Sequence, residues 1–217
     1  PDKSLEGKNV LVTAGPTHEY LDPVRFISNP SSGKMGLAMA RAAWYRGARV
    51  TLVLGPTGIA DLSGIEVVRV VSALEMRDAV LSRSAEMDYV VKAAAVGDFR
   101  PAEFSSDKIK RRGADTMKLE LVQNPDIAAA LGERKRDGQV LIGFAAESSD
   151  VLANAADKIR SKRLDYIVAN DIAAPGFGFG VDTNSVCLLG ADGGSASFSG
   201  TKEEVAVGIW DTVLSGR

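Results

Sequence analysis

Residues 25–36 read RFISNPSSGKMG, which sets an arginine, an asparagine, serines, a lysine and glycines just ahead of a run rich in Ala, Leu and Met. Those types suit an anion. Gly15, Gly33 and Gly36 let backbone amides approach a ligand, Ser31 and Ser32 donate hydrogen bonds, and a helix start favours negative charge. Arg25 and Lys34 add positive charge. Taken singly, each residue equally describes a helix cap or a solvated side chain. As a cluster following a first strand, they describe an anion site. Asn29 is less determined, because Asn-Pro also opens ordinary turns.

The stretch departs from both common phosphate motifs. A Walker A loop reads Gly-x-x-x-x-Gly-Lys-Ser/Thr, but Ser28 stands in place of its first glycine and Met35 in place of its metal-binding hydroxyl. A dinucleotide site needs Gly-x-Gly-x-x-Gly in the first strand-to-helix turn, and this chain has AGPT there and LGPT after Leu54. A nicotinamide-dependent oxidoreductase is therefore disfavoured.

The elements that must position these residues alternate. Residues 8–13 (KNVLVT) predict a buried strand ending at a turn, 35–46 a helix stopped by Gly47, and 49–54 a second strand. Residues 66–71, 73–86 and 89–95 predict strand, helix and strand, and 139–145, 151–162 and 166–169 repeat the pattern. Such alternation indicates an α/β fold with an open, mostly parallel sheet and right-handed crossovers. Residues 185–189 and 195–199 flank ADGG as a hairpin, and Thr201 with Glu204 makes a capping box for a last helix. Residues 99–122 break the rhythm. They carry the basic cluster KIKRR, end in the alternating MKLELV, and predict an extended arm or flap.

Composition narrows the class. The chain has 217 residues, 45% of them hydrophobic, enough for a single domain with one substantial core. With 26 basic and 28 acidic side chains the net charge is −2, so nothing draws it to nucleic acid or an anionic membrane. A single cysteine, Cys187, and a single histidine, His18, exclude a disulfide framework and a multi-histidine metal centre, and fit a reducing cytoplasm. The longest apolar runs have strand length, and no signal peptide is evident. The opening PDKSLEGK predicts a piece cut from a longer polypeptide at a linker.

Seven segments, in order, resemble one family: TAGPT at 13–17, LDPVRFISNPSSGKMG at 21–36, AAAVGDF at 93–99, KIKR at 108–111, NPDI at 124–127, GFAAE at 143–147 and VAND at 168–171. Together they are similar to the bacterial phosphopantothenoylcysteine synthetases. The resemblance implies a Rossmann-like three-layer fold and a ligase joining 4′-phosphopantothenate to L-cysteine with CTP and Mg²⁺ (or Mn²⁺). It implies an acyl-cytidylate intermediate, a homodimer in which the arm at 99–122 closes the site, and a fused or separate flavin-dependent decarboxylase. No enzyme nucleophile is required, which agrees with the isolated Cys187 and His18. An ATP-using form of the same ligase and a nucleotide-binding module without catalysis are the alternatives.

Carried across by resemblance, Arg25 acts on the phosphopantothenate and acyl-cytidylate, Asn29 holds the activated carbonyl, and Lys108 lies over the phosphates. Alongside Gly15, Ser31, Ser32 and Gly33, the nucleotide would meet Ala93, Ala94, Asp98, Lys108, Asn124, Pro125, Asp126, Ile127, Phe144, Lys158 and Lys162, with Asp98 as the metal carboxylate. Lys158 and Lys162 are four apart and share one helix face; read alone, beside Arg160 and Arg163, they describe a solvated charged face. Two positions depart from the family pattern. Arg111 replaces the last lysine of a KxKK motif, keeping charge but changing hydrogen-bond geometry, and Gly97 stands where relatives often carry alanine.

Overall fold

Apolar runs of strand length alternate along the chain with longer, helix-forming stretches, and the backbone follows that alternation. The computed structural model describes residues 2–110, 116–147, 151–171 and 181–216. In chain order these form β1 (Asn9–Ala14), β2 (His18–Tyr20), β3 (Phe26–Ser28), α1 (Lys34–Tyr45), β4 (Arg49–Leu54), β5 (Glu66–Arg69), α2 (Ala73–Leu81) and β6 (Tyr89–Lys92). There follow β7 (Phe99–Pro101), β8 (Leu121–Gln123), α3 (Ile127–Arg134), β9 (Val140–Glu147), α4 (Val151–Lys162), β10 (Tyr166–Asp171), β11 (Thr183–Gly190), β12 (Ser195–Thr201) and α5 (Lys202–Ser215).

Eight strands make the main sheet, in the order β12-β11-β10-β9-β6-β1-β4-β5. Pairing from β5 through β10 is parallel, and β11 and β12 add an antiparallel edge. A strand covered on both faces must be apolar on both, and β1, NVLVTA, is buried at every position after Asn9. One layer packs α1 and α5 on one face through Leu37, Met39, Val205, Ile209 and Trp210. The opposite layer packs α2, α3 and α4 through Met76, Val80, Leu131, Ala155 and Ile159. The fully buried Trp210 donates from Nε1 to the Met39 carbonyl at 3.0 Å and meets the Tyr89 ring edge-on at 5.4 Å. This is the expected α/β, Rossmann-like, three-layer open sheet with a C-terminal hairpin and helix. Among the described residues no helix is long and apolar enough to cross a membrane.

Strand order reverses between β1 and β6, because the chain first builds outward through β4 and β5 and then returns to build through β9 and β10. In open α/β sheets ligands bind at such a reversal, outside the carboxyl ends of the strands.

Three local expectations change. The connection from 18 to 33 contains an antiparallel hairpin of β2 and β3, with His18 stacked on Phe26 at 3.8 Å. The strand expected over MKLELV shrinks to Leu121–Gln123, which pairs with Phe99–Pro101 as the base of the arm; without a second layer, an isolated pair has little to extend it. Residues 127–134 form α3, an Ala-rich helix that its short length and internal Gly132 concealed. Residues 111–115 of the arm, Arg111 among them, lie outside the described residues.

Candidate active site

The crevice between β1 and β6 is braced by threonines of the TAGPT turn. Thr13 Oγ1 accepts from the Ala94 amide at 3.1 Å, and Thr17 Oγ1 accepts from Gly97 at 3.0 Å. Both side chains are fully buried. The Gly15 carbonyl accepts from the Ala95 amide at 2.9 Å, so the turn after β1 and the loop after β6 are tied to each other. Sequence reading assigned no task to these threonines; their signal was a hydroxyl residue at either end of a turn that follows a buried strand. Asn29 reaches this crevice. Its exposed amide nitrogen lies 3.4 Å from the carbonyls of Ala95 and Val96, long contacts that place it without holding it tightly.

On one side of the crevice stands the start of α1. Gly33 caps it in the left-handed region (φ 77°), where no side chain is available to cap. A cleft of about 510 Å³ opens here between Ser31, Ser32, Lys34, Arg41, Thr57, Gly58, Asp182 and Lys202. A smaller recess sharing Ser31, Ser32 and Gly33 reaches Ala93, Phe144, Asn170 and Asn184. Lys34 pairs with Asp182 at 2.5 Å. Gly15 and Gly36 serve packing in addition to any ligand approach: a Cβ on Gly15 would lie 2.7 Å from Thr57 Cγ2, and one on Gly36 would lie 2.5 Å from Ala14 Cβ.

Across the sheet edge, α3 begins at a different pocket. About 120 Å³ is enclosed by Lys92, Asp98, Asn124, Pro125, Asp126, Ile127 and Lys162. The structure therefore divides the expected nucleotide residues. Ala93 and Phe144 face the α1 side, whereas Asp98, Asn124, Pro125, Asp126, Ile127 and Lys162 surround the α3 side. Several carry local duties. Asn124 is buried, donating to the Gly97 carbonyl at 2.8 Å and accepting from Arg100 at 3.1 Å. Ile127 and Ala94 belong to the core. Asp126 caps α3 by accepting from the Ala129 amide at 3.0 Å and pairs with Lys162 at 2.8 Å. Burial pushes the Asp126 carboxyl up, but Lys162 and the Ala129 amide outweigh it and hold the pKa below its usual value. Lys158 is half-buried one turn before Lys162 and outside the pocket lining. Lys92 was absent from the sequence expectations because it falls inside the strand expected over 89–95, which the structure ends at Lys92.

Arg25 connects the loop to the arm. Its Nε donates to Asp22 Oδ2 at 3.0 Å and its terminal nitrogen to the Ile109 carbonyl at 2.5 Å. Asp22 is fully buried and also accepts from the amides of Val24 at 2.9 Å, Arg25 at 2.8 Å and Ile109 at 3.1 Å. Burial opposes its charge, yet those amides and the Arg25 guanidinium hold the carboxyl at about 2. This latch holds the arm at Ile109, the residue after the exposed Lys108. Nothing in the sequence spacing joined residue 22 to residue 109.

Residues 5–216 match the family model described as DNA/pantothenate metabolism flavoprotein C-terminal domain. A relative from Bacillus subtilis (strain 168), coenzyme A biosynthesis bifunctional protein CoaBC, is 50% identical over 190 residues, covering 87% of this chain and 46% of the relative. A relative from an unknown prokaryotic organism, named cysteine/cysteine sulfinic acid decarboxylase, is 46% identical over 99% of this chain and 60% of its own length. The chain thus spans about half the length of the curated relatives it matches. A crystal structure of the C-terminal domain of a coenzyme A biosynthesis bifunctional protein CoaBC superposes with a TM-score of 0.84 at 40% identity, covering 99% of this chain and 98% of the other. The motifs, the sheet reversal and these matches converge, and the chain belongs to the family of DNA/pantothenate metabolism flavoprotein C-terminal domains.

Proposed function

We propose that the chain joins 4′-phosphopantothenate to L-cysteine, with CTP as the activating nucleotide. A carboxylate oxygen of the acid attacks the α-phosphorus and pyrophosphate leaves, giving an acyl-cytidylate. The cysteine amine then attacks the acyl carbon, CMP leaves, and the amine proton passes to solvent. The observation that carries this reading is the position of Asn29, an amide donor at the sheet reversal with the α1 cleft to one side and the α3 pocket to the other. Reactions of this kind depend on donors fixed where charge develops. The triphosphate suits the α1 start, with Ser31, Ser32, Gly33 and Lys34, because glycine and hydroxyl groups there meet an anion at a positive helix end. Arg25 flanks the acid, and the arm that its guanidinium holds at Ile109 would bring Lys108 over the phosphates.

Mg²⁺ or Mn²⁺ arrives with the nucleotide, since such ions take one or two carboxylates, bind phosphate oxygens and keep several waters. Asp98, exposed at the α3 pocket, is a carboxylate suited to it. Tyr20, Phe26, Ile27, Phe99, Phe104, Leu119 and Leu121 are exposed on the β2–β3 hairpin and the arm, an apolar face that supports a homodimer. Phe26→Glu should yield monomer by light scattering; an unchanged dimer would reject that face. The relatives' bifunctional name supports a partner decarboxylase, fused or separate, acting on the product in the cytoplasm.

The deciding experiment supplies phosphopantothenate and cysteine with CTP or ATP and scores pyrophosphate and monophosphate. CMP with CTP supports the reading, AMP with ATP moves it to the ATP-using ligase, and neither product sinks it.

A further inference from the structure

The hairpin of β2 and β3 carries both residues given to the acid, with Arg25 in its turn and Asn29 just after its last strand residue. Neither side chain ties the hairpin to the main sheet. The Asn29 contacts are 3.4 Å long, and the bonds of Arg25 stay within the turn or reach the arm. A lone pair of three-residue strands is too small to hold itself in place. Its attachment to the rest of the fold therefore decides where Arg25 and Asn29 sit.

Of the residues in β2 and β3 only Glu19 is buried, at 3% exposure. Side chains alternate along a strand, so Glu19 points inward while His18 and Tyr20 meet Phe26 on the other face. The Glu19 carboxylate accepts from the Ala73 amide at 2.9 Å. One residue earlier the backbone makes a second tie, His18 N donating to the Val71 carbonyl at 2.8 Å. Ala73 opens α2, and both it and Met76 are fully buried, so the hairpin is fastened to the core. The same side chain lies against the loop after β6: a Cβ on Gly97, the residue before Asp98, would stand 3.5 Å from Glu19 Cγ.

Burial by itself favours an apolar residue at this position, because a carboxylate taken out of water is costly unless it is bonded. Apolar contact has no direction. A carboxylate on the first amide of a helix is held in distance and angle, and the positive end of α2 favours its charge. We infer that Glu19 is a positioning residue, setting the hairpin against the start of α2 so that Arg25 meets the acid and Asn29 its activated carbonyl. The inference rests on the ligase reading and adds the residue that sets the hairpin. The start of α1 is fastened separately, by the close packing of Gly33 and Gly36 on the turn after β1, so phosphate binding there should not follow the hairpin.

Three variants of the full chain test it. Glu19→Met keeps length without an acceptor, Glu19→Gln keeps an oxygen for the Ala73 amide, and Ala73→Pro removes the donor from the other side. Proline suits the first position of a helix, and the extended Ser72 (ψ 166°) suits the residue before it. Glu19→Met and Ala73→Pro should lower kcat on the order of tenfold to a hundredfold and weaken phosphopantothenate in calorimetry on the order of tenfold. Both should speed amide exchange in the hairpin and leave the binding of inorganic tripolyphosphate unchanged. Glu19→Gln should recover most of each loss. Wild-type behaviour of Glu19→Met or Ala73→Pro would overturn the inference, as would Glu19→Gln no better than Glu19→Met. Tripolyphosphate weakened alongside phosphopantothenate would overturn it too, by reducing Glu19 to general support of the fold. Product formation is scored separately. If wild type makes neither CMP nor AMP while Glu19→Met still loosens the hairpin and weakens phosphopantothenate, the ligase reading fails and positioning of the acid stands. If CMP forms and Glu19→Met turns over normally, only positioning fails.

Discussion

Two helices begin at the carboxyl edge of the sheet, and they begin differently. Helix α1 starts at Gly33, whose left-handed backbone brings no side chain to the helix end. Helix α3 starts at Asp126, whose carboxylate accepts from the Ala129 amide and pairs with Lys162. A helix N-terminus attracts negative charge in both cases. At α3 that demand is met from within the chain, and the pocket left over is balanced in charge. At α1 it is left to glycine, serine and whatever enters the cleft. Equivalent helix ends are thereby left different, one uncapped by any side chain and the other satisfied by its own carboxylate.

The largest expected break lies between them. Asn29→Asp replaces an amide donor with a carboxylate where the activated carbonyl is proposed to sit, and should lower kcat about a hundredfold or more, roughly 3 kcal/mol. Acyl-cytidylate should accumulate or escape in quenched-flow samples; normal turnover would remove Asn29 from the chemistry. Next, Gly33→Asp gives α1 the kind of cap α3 has. Strain at φ 77° and competition from the new carboxylate should weaken tripolyphosphate on the order of tenfold, and undiminished binding would show that the phosphates lie elsewhere.

A smaller effect concerns the latch. Asp22→Asn should raise KM for phosphopantothenate more than it lowers kcat, with faster amide exchange around Ile109; equal changes in both constants would argue against a positioning role. Its charge also makes a pH signature. Because the folded pKa of about 2 lies below the ordinary 3.8, the Asp22 contribution to stability is complete above 3.8 and is lost as pH falls toward 2. Urea midpoints of the Asn variant should be flatter over that window. Smallest is Asp126→Ala, which removes the α3 cap and should cost about 1 kcal/mol, read as a lower urea midpoint with tripolyphosphate binding intact.

The fold was largely legible because its signals are local. Buried strands read as apolar runs, Gly47 ended α1, and the Thr201–Glu204 capping box is formed as expected. The arm was legible as a break in period, whereas its attachment was hidden, because Asp22 and Ile109 are 87 residues apart and meet only when the loop folds back. Asn124 carries a task that its motif did not show, because its amide braces Gly97 across 27 residues of chain.

By itself the sequence determined the layers, the crossovers and the irregular arm, since composition and period act over a few residues. Only the tertiary structure decided that the expected nucleotide residues fall on two sides of the sheet, that Arg25 is held by Asp22 and the arm, and that Lys92 opens into a pocket. Those outcomes depend on side-chain alternation across a sheet edge and on contacts between distant segments, which no local pattern encodes.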